Sequence, residues 1–195
     1  KLKSDSFPAV VDPGVYVRSN FGTRAGGNYQ SFKSDGYVCV STVCNPYAGS
    51  LLDSNYYWRS WRSAIFSNYD VLRSAELRSA TLHLTQLTNV SFWTGNYNGH
   101  WFDAWHAGCL SFGCLGQWGG ESYFGTVGDI NVTGIYAARK AAGDWGAWLM
   151  ITGEECGCDT FKNLDPDNSY VNIEYNRQPS IPVPEVPSTN KDLEA

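Results

Sequence analysis

The amino-acid sequence predicts an all-β fold: a jelly-roll-like antiparallel β-sandwich with one short helix and long aromatic, glycine-rich loops. Three observations lead there. First, aromatic residues make up 15% of the 195 residues and charged residues only 17%, with twenty glycines; this mix suits short strands and turns and starves long helices of their best formers. Second, several short stretches alternate apolar and polar side chains with a period of two. Third, a single stretch carries a helical pattern with a stop signal.

Residues 1–13 read as an arm, 14–178 as the sandwich domain and 179–195 as a proline-rich linker or tail, with four prolines between 179 and 187. Within the domain, "VYVRSNF" (15–21) opens a first strand, with Val15 and Val17 on one face and Tyr16 and Arg18 on the other. "YVCVSTVC" (37–44) reads as a strand or hairpin, and "WRSWRSAIFSNY" (58–69) as holding a short strand around Ser63–Phe66. "LRSAELRSATLHLTQL" (72–87) repeats Leu-Arg-Ser-Ala, but only the second copy runs into an alternation: Ala80, Leu82 and Leu84 against Thr81, His83 and Thr85. That predicts a strand over 79–85, with the first copy on its approach. "VSFWTG" (90–95) reads as a further strand, and 96–126 as irregular loop. In "GDINVTGIYAARKAAGDW" (128–145), Thr133 is the expected cap, Ile135 and Ala138 the inner stripe and Gly143 the C′ residue of the helix. "GAWLMITGEE" (146–155) and "YVNIEYN" (170–176) return to strand.

Six cysteines fall in close pairs, Cys39 and Cys44, Cys109 and Cys114, Cys156 and Cys158. An even number so spaced points to disulfides and an oxidising, extracellular compartment. Local bridges 39–44 and 109–114 are expected, while Cys156 and Cys158 either bridge each other or pair with another loop. The rival is a zinc site using His106, Cys109 and Cys114, for which the C-x4-C spacing is poor. A net charge of −5 argues against nucleic acid and against an anionic membrane surface. No stretch is apolar for long enough to span a bilayer, and residues 1–20 lack a secretion signal's apolar core, so the chain is expected to be mature, trimmed or cut from a larger protein.

"SFWTGNYNGHWFDAWHAGCLSFGCLGQWGGESYF" (91–124) is the candidate binding region, through Trp93, Tyr97, Trp101, Asp103, Trp105, His106, Trp118 and Tyr123. Aromatic rings stack on the apolar faces of sugars at low rotamer cost, while interleaved carboxylates, amides and imidazoles take hydroxyls. The competing reading is that these rings only pack the loop and cover the sandwich. Arg59 and Arg62, among Tyr56, Tyr57, Trp58 and Trp61, read as structural stacks at a strand entry, with an anionic sugar as the alternative. Asp165, Asp167 and Asn168 could contribute to calcium, but three oxygens in a turn are too few; no cofactor is expected. Glu154 and Glu155 are strand neighbours rather than a glycosidase pair. His100 and His106 frame Asp103 with Ser111 nearby, so a Ser-His-Asp set can be drawn on paper, but no catalytic motif is present and the chain is not expected to be an enzyme.

The order "WRSAIFSNY", "SATLHL", "DINVTG" and a closing "YVNIEYN" before a proline linker resembles the DNRLRE-type domains, secreted β-sandwich modules of bacterial extracellular multidomain proteins. The matching points are Arg62 before a strand ending at Phe66, Ser79–Leu82, and Asp129–Thr133 leading into a helix, over about residues 14–176. Ser67 departs from the pattern, which has Asp after the Phe, and 96–126 is more elaborate. The resemblance implies a non-catalytic, carbohydrate-binding-module-like domain on or outside a cell. The expected partner is therefore a carbohydrate or another cell-surface ligand, without membrane insertion. The alternative is a structural spacer or docking domain of an adhesin, surface stalk or toxin complex.

Overall fold

In a computed structural model the described residues are 15–21, 28–87, 101–123 and 127–177. They form two antiparallel sheets, as the β-sandwich expectation required. The smaller sheet runs β1 (Val15–Asn20), β12 (Tyr170–Arg177), β6 (Ala75–Thr85), β9 (Val127–Asn131). The larger runs β11 (Lys162–Asn163), β4 (Tyr47–Leu52), β5 (Trp58–Asn68), β10 (Gly146–Gly153), β7 (Trp101–His106), β8 (Trp118–Tyr123), with β2 (Tyr29–Lys33) joined to β5 and β3 (Val38–Val40) to β2. The arm and tail, and the expected strand at 90–95, lie outside the described residues.

The core fills from alternate positions. Ala80, Leu82 and Leu84 of β6 and Val171, Ile173 and Tyr175 of β12 face Tyr29, Ile65, Phe102, Leu149 and Ile151 of the larger sheet. Each large aliphatic side chain buried there contributes about 1.5–3 kcal/mol. β6 is longer than the alternation shows, because a bulge intervenes. Glu174 pairs with Ser79 and Tyr175 with Leu77, so Arg78 is skipped. The skipped residue keeps Leu77 on the core side with Ala80, although three residues separate them. The first Leu-Arg-Ser-Ala copy lies instead in a 3-10 turn, Asp70–Arg73, that buries Leu72, and its Ala75 begins β6.

The helix α1 (Thr133–Ala141) forms with Ile135 and Tyr136 buried and Gly143 at φ +77° just past its end. Thr133 does not cap it. Its hydroxyl is drawn to β6, accepting from the Ala80 N–H at 2.9 Å and donating to the Ala80 carbonyl, while Asn131 Oδ1 accepts the Thr133 N–H at 3.0 Å. β5 spans eleven residues rather than the four expected, since its aromatic entry is itself strand.

Disulfides join Cys39 to Cys44 and Cys109 to Cys114, as the spacing predicted, and Cys156 is paired with Cys158. Both oxygens of Asp165 are taken up in a turn, accepting the N–H groups of Asp167 and Asn168 and the Asn168 side-chain amide.

Candidate functional site

The stretch read as loop from sequence holds a strand pair. "WFDAWH" alternates, but both faces are apolar, which hides the period. Phe102 and Ala104 enter the core; Trp101, Asp103 and Trp105 point to the outer face of the larger sheet. Beside them β10 presents Trp148 and Met150 outward, β5 presents Ala64 and β2 presents Phe32. With Ala107 and Phe112 these make a second apolar cluster, on the far side of the sheet from the core.

The connection between β7 and β8 covers this cluster and is fastened at several points. The Ala107 N–H donates to the Trp148 carbonyl at 2.9 Å. The Cys109–Cys114 bridge closes the loop's own turn. Arg62 reaches up from β5, lies 4.2 Å from the Phe112 ring centre and donates to the Phe112 carbonyl at 2.6 Å. Its other nitrogens grip Glu155 through both carboxylate oxygens, at 2.7 and 3.0 Å. Arg62 is thus structural, as expected, but its ring partner is a phenylalanine of this loop instead of a neighbouring tryptophan.

A second bulge decides the geometry of the candidate site. Asp103 pairs with Glu121 and Ala104 with Gly120, but Trp105 pairs with Trp118, leaving Gly119 unopposed. The extra residue turns Trp118 onto the face of Trp105; their ring centres lie 6.4 Å apart at 51°. Glycine at 119 leaves room for α1 to pack close, since a Cβ there would sit 2.8 Å from Ile135 Cδ1 and 3.1 Å from Val132 Cγ1, and those side chains would have to shift. Trp118 is 53% exposed, whereas Trp105 is half-buried against the outer cluster. Between the tryptophans of β7, Asp103 has one carboxylate oxygen buried without a hydrogen-bond partner among the described residues. Burial, and then the neighbouring Glu121 charge, raise its carboxyl pKa above the usual 3.8.

Four of the sequence-predicted residues, Trp101, Asp103, Trp105 and Trp118, therefore share one face. The backbone of Tyr123 pairs with Trp101. Trp93 and Tyr97 lie outside the described residues. His106 departs from the expected group: strand alternation places it on the side of Phe102 and Ala104, opposite Leu149. Burial there lowers its pKa, with Arg139 acting in the same direction. Asp103 and His106 thus sit on opposite faces of β7, so His106 does not complete a Ser-His-Asp set with Asp103; His100 lies outside the described residues. Sequence reasoning missed Met150, Phe32 and Glu155, which hold the face and its cover in place. The one signal, and for Met150 alone, was "AWLMI" (147–151), a strand apolar on both sides.

No family model matches this chain, and no curated protein matches it.

Proposed function

We propose that this chain is a secreted, non-catalytic module that binds extracellular carbohydrate on the outer face of β7 and β8. Sugar rings stack on Trp118 with Trp105 as its flank, and Asp103 and Glu121 accept hydroxyl hydrogen bonds. The observation that carries this reading is Trp118, turned outward by the Gly119 bulge and left half exposed on the same face as Asp103, one of whose carboxylate oxygens has no hydrogen-bond partner among the described residues. An exposed indole offers a flat apolar surface to the C–H face of a sugar, and carboxylates on the same face accept hydroxyl hydrogen bonds. The resemblance to DNRLRE-type domains supports the same reading, and the paired cysteines suit an extracellular setting.

A glycan array with the unaltered chain tests it, alongside Trp118→Ala and Trp105→Ala. Binding to one glycan class, lost in Trp118→Ala while the fold persists by circular dichroism, is the expected outcome. A blank array favours the second reading, a docking domain of a larger extracellular assembly. That reading has its own observation: among the described residues β3 pairs only with β2, and it exposes Val38 and Val40 beside Tyr37, an apolar strand edge of the kind partners extend.

A further inference from the structure

The hairpin joining β4 to β5 ends in a second aromatic group far from Trp118. Tyr56 is 85% exposed and Tyr57 61%, and Trp58 follows at the start of β5, also exposed. Tyr56 holds a φ of +60°, and no other described residue apart from glycine has a positive φ. An aromatic residue in that conformation costs about 1–2 kcal/mol, and glycine would avoid the cost. The positive φ closes the turn, with the Tyr56 N–H donating to the Asp53 carbonyl at 3.0 Å and the Asp53 N–H to the Tyr57 carbonyl at 2.9 Å. The turn does not call for a tyrosine there, so the chain keeps a strained, solvent-exposed ring where glycine would serve. Such a coincidence points toward function.

The tip is also built to hold its shape. Asp53 accepts the N–H groups of Asn55 and Tyr57, both at 2.9 Å, and takes Arg59 Nε at 3.0 Å. The Arg59 guanidinium lies 5.2 Å from the Tyr57 ring centre. Gly157, inside the Cys156–Cys158 clip, backs the Trp58 indole. The charges at the tip cancel locally: Arg59 is paired to Asp53, and Lys33 to Asp35 at 2.8 Å. A site with flat rings and no spare charge suits a neutral sugar chain, not the anionic sugar that the arginines first suggested.

Strand alternation places Trp58 on the same outer face as Arg62 and Ala64, and hence as Trp105 and Trp118. The two groups are three strands and six residues apart on the sheet grid, which is roughly 25 Å. We infer that the Tyr56–Trp58 tip is a second stacking point for the same neutral polysaccharide chain, so that long chains are held at two places and short ones at one. This rests on the carbohydrate reading of the Trp118 face. Two tethered contacts raise apparent affinity without any stronger single contact.

The test compares hydroxyethyl cellulose with cellotriose, which is too short to span both points, by titration calorimetry on the full chain. Expected for Tyr56→Ala is unchanged affinity for cellotriose and a loss of about tenfold or more for the polymer. Trp118→Ala should weaken both. Polymer affinity untouched in Tyr56→Ala but lost in Trp118→Ala overturns the second stacking point and leaves the Trp118 site standing. Full affinity in Trp118→Ala with loss in Tyr56→Ala overturns the Trp118 site and leaves the tip as a lone one. No binding of either probe by the unaltered chain overturns the inference for a neutral β-linked glucan. A separate readout is Tyr56→Gly, which should melt a few degrees higher, because glycine adopts the same φ without strain. A melting point at or below that of the unaltered chain removes the strain argument.

Discussion

The outer faces of the two sheets share a core but are built from different chemistry. On the smaller sheet the outward residues form a polar ladder. The Arg18 guanidinium lies 3.9 Å from the Tyr170 ring centre, Tyr170 stacks on His83 at 4.6 Å, and His83 Nδ1 meets Asp129 Oδ1 at 2.5 Å. Ser79 donates to Glu174 at 3.1 Å. Each of these groups satisfies a lateral neighbour, and together they leave a face that water can cover. On the larger sheet the outward residues include Phe32, Ala64, Met150 and Trp105, which water cannot satisfy. There the chain folds a disulfide-clipped loop over its own sheet and pins it with Arg62. A sheet apolar on both sides needs two coverings. Among the described residues the second covering is partial, and it ends where Trp118 emerges.

Truncation should expose the difference most strongly at Met150. This residue points away from the main core yet is fully buried, so Met150→Ala should cost about 2–5 kcal/mol, as in a core. His83→Ala, equally outward on the other sheet, should cost no more than about 1.5 kcal/mol, the worth of a stacked pair. Urea denaturation checks both, and equal losses would erase the distinction between the faces.

Next in size comes Arg62→Ala. Losing the charge-assisted bonds to Glu155 and the Phe112 carbonyl should cost about 1.5–3 kcal/mol. It should also speed hydrogen exchange at 109–116 while leaving β6 and β12 protected. Uniform exchange across the domain would mean that the loop is not a separately held cover.

The smallest effect is a pH dependence. A raised carboxyl pKa means that folded Asp103 holds its proton more tightly than the unfolded chain does. Stability from this group is therefore greatest in acid and is lost as pH rises from 3.8 through the raised folded value. Asp103→Asn should melt above the unaltered chain at pH 7, and the gap should close in acid. A variant that is less stable at pH 7 would show that the carboxylate is supported rather than stressed in the free protein. If Asp103 also accepts a sugar hydroxyl, the same substitution weakens glycan binding, which separates its two roles.

Legibility in the sequence followed how differently the two sides of a strand are solvated. β6 and β12 have one wet and one dry face, so "ATLHLT" and "YVNIEYN" show their period openly. β10 is apolar on both sides and reads as strand only from its unbroken apolar run, while in β7 the indoles on one face and Phe102 and Ala104 on the other hide the period, so "WFDAWH" reads as loop. Bulges were invisible as well. Skipping Arg78 and Gly119 is a matter of register between strands distant in sequence, and the second bulge places Trp118 on the same face as Trp105. His106 was misplaced for the related reason that proximity in a motif says nothing about face until the strand is known.

By itself the sequence determined what local chemistry determines: a β-sandwich composition, the alternating strands β1, β6 and β12 of the smaller sheet, the stop glycine of α1 and the two cysteine pairs spaced five residues apart. Only the tertiary structure decided that the larger sheet carries a second apolar layer, that Arg62 fastens the loop above it, and which tryptophans meet. These depend on pairing between strands far apart in the chain, and the free energy of such pairing lies in contacts that no local stretch contains.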